Sequence, residues 1–264
     1  MPLHFLHRLL QLPYRLNVPI NLNRGGKPTI VLLHGIGASA RAWEHVVPLL
    51  DTDAHVVAVD LLGFGASPKP SWPDYSLHDH ARSIHKTLRR IYWRRPVIIV
   101  GHSLGCLVAI ELARRWPHMV DRLVLCSPPF YMPSPKPLRR MPKRDDMYMQ
   151  AYAIARTYRI GALAVQYFGR EAAGTGFMVD ETTLPAFMKT LQASIEEQQS
   201  YLHVKDIDRP IDILYGRFDT FLIEKRIQAV AAENPHIKLH KVNAPHSITK
   251  KYAAEIARVL NTAR

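Results

Sequence analysis

The chain has 264 residues, 47% of them hydrophobic, with 35 Lys and Arg against 22 Asp and Glu for a formal net charge of +13. That length suits one large α/β domain with room for an inserted subdomain. No run of about twenty apolar residues exists, so no membrane span is expected, and the two cysteines, Cys106 and Cys126, lack the spacing of a zinc site. Both cysteines lie in apolar segments; buried free thiols in a reducing cytoplasm are the expected state, with a disulfide as the alternative. Basic pairs such as Arg89-Arg90, Arg114-Arg115 and Lys250-Lys251 are spread over helix ends and loops. A nucleic-acid protein would gather them on one element and interleave aromatics. A basic solvated surface is therefore expected and no specific nucleic acid; weak attraction to an anionic membrane surface stays open.

Met1 to Leu10 has too short an apolar run and no small-residue cleavage site, so a secretory signal is not expected. Leu3, Leu6, Leu9 and Leu10 recur at helical spacing, either as an interfacial helix or as a segment packed on the domain. Tyr14 to Asn23, which contains Pro19, suits an edge strand, and Gly25 to Pro28 a turn. Thr29 to Leu33 is continuously apolar, the pattern of a strand buried on both faces, and ends in His34-Gly35-Ile36-Gly37. Ala40 to Leu50 reads as a helix with Ser39 as its N-cap. His55 to Asp60 is the next buried strand, followed by a glycine-punctuated loop and a helix over Ser76 to Arg90.

Pro96 to Val100 is another apolar β-branched run, broken by Gly101-His102-Ser103-Leu104-Gly105 and followed at once by a helical pattern from Cys106 to Ala113. A strand, a sharp turn and a helix hold the Ser103 hydroxyl proud of the sheet edge. The five-residue pattern alone arises by chance in roughly one chain of this length in ten, so its setting carries the argument. Arg122 to Cys126 is a further strand. The alternation of strands and helices predicts a doubly wound, mostly parallel α/β sheet. The rhythm stops in residues 130–205, which open proline-rich and continue as helical tracts over Asp145 to Phe168 and Leu184 to Leu202, with no strand pattern. An all-helical insertion between core segments 1–129 and 206–264 is expected. The α/β rhythm resumes at Ile211 to Tyr215, then a helix over 222–232, a strand over Ile237 to Val242 and a closing helix over 248–262.

Functional groups of an open α/β sheet gather at the carboxyl ends of its strands. Here those ends carry His34-Gly35-Ile36, Ser103, Asp219 and His246. A serine hydroxyl becomes a useful nucleophile once a base takes its proton, and imidazole suits that task near neutrality. A carboxylate fixes the imidazole tautomer, and backbone N–H groups hold the oxyanion. Each residue also has a structural reading: Ser103 as a turn serine, Asp219 as a helix N-cap, His246 as one of 14 histidines.

The motifs His34-Gly35, Asp60-x-x-Gly63-Phe64-Gly65-x-Ser67, Gly101-His102-Ser103-Leu104-Gly105, Gly216-x-x-Asp219 and His246-Ser247 occur together and in order. They resemble the α/β-hydrolase family over residues 29–127 and 210–262. The resemblance implies Ser103 as nucleophile, His246 as base and Asp219 as orienting acid, with the N–H groups of Ile36 and Leu104 as oxyanion hole and residues 130–205 as a cap. It casts His34 and His102 as structural histidines, and Asp60 reads as a loop organiser. No metal and no cofactor is implied. Related epoxide hydrolases and haloalkane dehalogenases use an aspartate at the nucleophile position, so Ser103 points to acyl chemistry. Phe130, Tyr131, Phe177, Met178, Phe187 and Met188 are among the residues of this segment that would either form the cap's own small core or line an apolar acyl pocket. The expected function is a carboxylesterase acting on small to medium hydrophobic esters. Carbon–carbon hydrolase, thioesterase and perhydrolase activity are alternatives on the same triad, and a non-catalytic ligand receptor is an alternative of another class.

Overall fold

The computed structural model describes residues 7–22, 28–91, 96–131 and 177–262. The expected helical tract over 145–168, most of the proline-rich stretch before it and residues 1–6 lie outside the described residues. Seven strands form one sheet: β1 (Ile20–Leu22), β2 (Thr29–Leu33), β3 (His55–Val59), β4 (Val97–His102), β5 (Val120–Cys126), β6 (Ile211–Gly216) and β7 (Ile237–Val242). Their order is β1-β3-β2-β4-β5-β6-β7. Only β1 is antiparallel, at the edge where Pro19 precedes it; every other pairing is parallel.

The continuous apolar runs are explained by helices on both faces. Val31 and Leu33 of β2 and Val57 and Val59 of β3 point into one core, with α1 (Leu77–Ile91), α2 (Leu104–Arg115) and α5 (Glu224–Glu233). Ile30, Leu32, Val56 and Ala58, one residue out of phase, point into the other core against Trp43 and α6 (Lys250–Asn261). This period-two division is what a doubly wound sheet requires. No helix among the described residues is long and apolar enough to cross a membrane.

Two local expectations are corrected. Residues 40–50 form two 3-10 turns, Ala40–Trp43 and Val47–Leu49, instead of one helix. Pro48 has no N–H to continue an α-helical ladder, and Ser39 makes no side-chain cap: the Ala40 N–H donates to Asp60 Oδ1 at 2.8 Å. The second helical tract of the insertion is broken into α3 (Leu184–Thr190), a π-helical turn over Leu191–Glu196 and the single turn α4 (Ser200–His203). At the N-terminus, His7 stacks on Tyr14 with centroids 4.4 Å apart, while Leu9 and Leu10 face solvent.

Away from the strand ends that carry the motifs, three strands share a charged cluster. Asp212 of β6 accepts from Arg122 Nε of β5 at 2.8 Å and pairs with His240 Nε2 of β7 at 2.6 Å. Asp212, otherwise a rival acid, is thereby committed to the sheet. Asp212→Ala would leave the largely buried Arg122 guanidinium without its counter-charge. A loss of about 3–5 kcal/mol in urea unfolding is expected, and a midpoint equal to wild type would refute that role.

Candidate active site

The turn after β4 is shaped by contacts that leave no room for side chains. A Cβ on Gly105 would collide with the Leu33 carbonyl of β2, and one on Gly101 with the Gly105 backbone. Ser103 adopts φ +51° and ψ −117°, a conformation that a non-glycine residue holds at a cost of about 1–3 kcal/mol. Its N–H donates to the Cys126 carbonyl at 3.0 Å, anchoring the turn to the end of β5. Leu104 is the first residue of α2, so its N–H has no intrahelical acceptor and shares the positive end of the helix dipole.

Ile36 lies on the turn after β2, closed by the Ala38 N–H donating to the Gly35 carbonyl at 3.2 Å. His34 braces this loop: Nδ1 donates to the Gly35 carbonyl at 2.7 Å, and Nε2 accepts from the Leu61 N–H at 2.9 Å. These bonds require a neutral ring, and burial holds the His34 pKa down to about 4. Asp60 organises the neighbouring loops, accepting from the N–H of Ala40 and Ala66 and from Asn17 Nδ2. The expected structural roles of His34 and Asp60 match these contacts.

His246 follows β7 and Asp219 follows β6. Nδ1 of His246 lies 2.8 Å from Asp219 Oδ2, with the Asp219 side chain fully buried. With its proton on Nδ1, the ring leaves Nε2 as an acceptor. Burial would raise the Asp219 carboxyl, but the bond to His246, the Ser127 hydroxyl and the Phe221 N–H outweigh it and hold it below the ordinary carboxylate range. His102, next to Ser103, donates from Nε2 to the His246 carbonyl at 2.8 Å, and the two rings lie 5.0 Å apart. The Ser103 turn and the His246 loop are thus tied by one buried ring. Among the described residues Ser103 Oγ and His246 share no hydrogen bond; such contacts commonly tighten once substrate is bound.

Two neighbours had no sequence signal. Ser127, at φ +57° after β5, lies 3.2 Å from the Tyr252 hydroxyl and also bonds Asp219. Phe221 donates its N–H to Asp219 Oδ1 at 2.9 Å. Cys106 and Cys126 are buried free thiols, and burial pushes both up. No group of three or more His, Cys, Asp and Glu side chains suited to a metal occurs among the described residues.

Described residues between β5 and β6 pack on the loops after β2 and before α1. The Met178 N–H donates to the Gly37 carbonyl at 2.7 Å, and Ser194 Oγ to the Tyr75 carbonyl at 2.7 Å.

Residues 28–249 match the family model for the alpha/beta hydrolase fold, and the chain belongs to that family. Among curated relatives, Probable lysophospholipase BODYGUARD 3 of Arabidopsis thaliana is 40% identical over 114 residues, which cover 42% of this chain and 23% of that protein. The matched segments span about a quarter of the length of the first such relatives. The enol-lactonase from Burkholderia xenovorans LB400 superposes with a TM-score of 0.76 at 18% identity, covering 93% of this chain and 94% of its own. Haloalkane dehalogenase DbeA from Bradyrhizobium elkani USDA94 does so with a TM-score of 0.71 at 17% identity, covering 94% and 96%. At these identities the likeness is one of fold.

Proposed function

We propose that the protein is a serine hydrolase, a carboxylesterase of small to medium hydrophobic esters. The observation that carries this is a serine held at positive φ between strand and helix, beside a histidine whose Nδ1 is bonded to a buried aspartate. Ser103 Oγ attacks the acyl carbon while its proton passes to His246 Nε2, and the carbonyl electron pair moves onto oxygen. The N–H groups of Ile36 and Leu104 hold that oxyanion. As the pair returns, the C–O bond to the alcohol breaks and His246 protonates the leaving oxygen. Water, deprotonated by His246, then cleaves the acyl-enzyme and releases the acid. Asp219 keeps the imidazole tautomer in place throughout.

The name lysophospholipase among the relatives supports acyl ester chemistry. Division into a core of 1–129 and 206–264 and a cap of 130–205 belongs to the same proposal, supported by the packing of Met178 and Ser194 over the site loops. A cytoplasmic location is supported by the two buried free thiols. Weak attraction to anionic membrane is supported by the +13 charge and by Leu9 and Leu10 exposed beside Arg8, and co-sedimentation with anionic vesicles at low and high salt tests it.

The test of the reaction is labelling with a fluorophosphonate and assay of p-nitrophenyl esters from acetate to decanoate. Labelling confined to Ser103 and turnover that rises with acyl length are expected. An inert wild type overturns the reading. Labelling with tight ligand binding and negligible turnover would instead identify a receptor, and turnover of thioesters or carbon–carbon substrates in preference to esters would reassign the reaction on the same triad.

A further inference from the structure

We infer that Tyr131 and Phe221 are positioning residues that hold the carboxylate of Asp219 in register with His246; the inference rests on the triad reading above. The two oxygens of Asp219 are engaged separately. Oδ2 faces His246 Nδ1 at 2.8 Å, and Oδ1 accepts the Phe221 N–H at 2.9 Å. A carboxylate tied at both oxygens cannot turn about its last side-chain torsion without losing one bond. Together with the Ser127 hydroxyl, which also bonds Asp219, Phe221 therefore fixes the plane in which the carboxylate meets the imidazole.

Phe221 makes two further contacts that bear on the pair. Its ring lies 5.0 Å from the His246 ring, tilted by 53°, and covers the imidazole on that side. Its carbonyl accepts the Tyr131 hydroxyl at 2.6 Å. One residue thus touches the acid through its N–H, the base through its ring and Tyr131 through its carbonyl.

Tyr131 is suited to act as a fixed post. It is 1% exposed and lies where the chain leaves the sheet after β5. Its own base is secured by neighbours that do not involve the acid loop. The Pro129 carbonyl accepts Gln198 Nε2 at 2.7 Å, and the Phe130 ring meets Tyr201 edge-on at 6.4 Å. The first and last parts of the insertion are pinned together there, and the Tyr131 hydroxyl reaches across 90 residues of sequence to the turn that carries Asp219. Removing that hydroxyl loses the 2.6 Å bond to the Phe221 carbonyl, and displacement of the turn moves the carboxylate and the imidazole together. Sub-ångström errors in such a constellation reach turnover before they reach substrate affinity.

The experiment is a double-mutant cycle read by kcat, KM and the rate of fluorophosphonate labelling. Tyr131→Phe is expected to lower kcat and the labelling rate about 10-fold with KM changed less than about two-fold. Phe221→Ala, which keeps both backbone bonds and removes only the ring beside the imidazole, should cost about 10-fold, and Phe221→Leu should recover part of it by restoring apolar bulk. In an Asp219→Asn background, Tyr131→Phe should change the labelling rate less than about two-fold, because the group it positions is already disabled. A merely structural contribution would multiply in both backgrounds. Wild-type kcat in Tyr131→Phe, or equal losses in the two backgrounds, overturns the inference; if Tyr131→Phe does not fold, Phe221→Pro, which removes the N–H donated to Asp219, is run through the same cycle with the same criteria. An active wild type with an inert Ser103→Ala places any such failure on this inference alone, whereas an active Ser103→Ala is a failure of the triad reading itself.

Discussion

Replacing His246 by alanine is expected to lower kcat about a million-fold without unfolding the protein, and Ser103→Ala should do the same. Without the imidazole, the Ser103 proton has no acceptor and the hydroxyl stays a poor nucleophile. The double variant should be little worse than either single one, because both remove one step. Asp219→Asn should cost about ten-thousand-fold. The amide presents N–H as well as oxygen, and the imidazole can answer with the tautomer that places its proton on Nε2, facing Ser103. The comparison needs kcat for all four proteins and their circular dichroism. Additive losses in the double variant would show that Ser103 and His246 do not act in one step, and an Asp219→Asn enzyme as active as wild type would remove Asp219 from the role of orienting acid. Single-turnover measurements with bound substrate read this effect most directly, because catalytic hydrogen bonds tighten in the substrate complex.

The second large effect is on stability. His34, His80 and His102 are all fully buried, and burial holds their pKa values at about 4, about 3 and about 3. For His34 the Gly35 carbonyl and Asp60 pull upward, and burial prevails. In the unfolded chain each returns to about 6.5. The unfolded state therefore binds more protons than the folded state at any pH between those limits. Stability is full above about pH 7 and falls as pH drops through 6.5 toward 4. By pH 5 each neutral histidine removes about 2 kcal/mol, about 6 kcal/mol for the three, a large part of an ordinary domain's stability. Asp219, held below the carboxylate range, adds its loss only at still lower pH. Urea unfolding at pH 7.5 and pH 5.0 measures the difference. His80→Leu should flatten the dependence by about one third, since His80 stacks on Phe64 and leaves Nδ1 without a partner. Equal midpoints at the two pH values would show that these rings are not buried neutral.

The parts of the site that were legible in sequence are those made by local geometry. A strand, a glycine-flanked serine and a helix are contiguous, and the steric demand that excludes a Cβ at Gly105 is written in the residue itself. Ser39 shows the opposite case. A serine before a helical pattern is a reasonable cap, yet Ser39 makes no side-chain cap bond, and the Ala40 N–H beside it goes to Asp60, 20 residues on, because β2 and β3 lie side by side. Phe221, Ser127 and Tyr131 look like ordinary loop residues. Their bonds to the acid loop depend on which loops a parallel sheet brings to one edge, and no spacing records it.

By itself the sequence determined the alternation of buried strands with helices and the four strand ends at which His34, Ser103, Asp219 and His246 lie. These follow from side-chain period, glycine sterics and residue chemistry, which act over a few positions. Only the tertiary structure decided which of 14 histidines meets which carboxylate, that Asp212 serves Arg122 and His240 instead, and that His102 reaches the His246 carbonyl across 144 residues. The physical reason is strand order. With β4, β5, β6 and β7 adjacent and parallel, their carboxyl ends share one edge, and the loops that carry Ser103, Asp219 and His246 are brought together there.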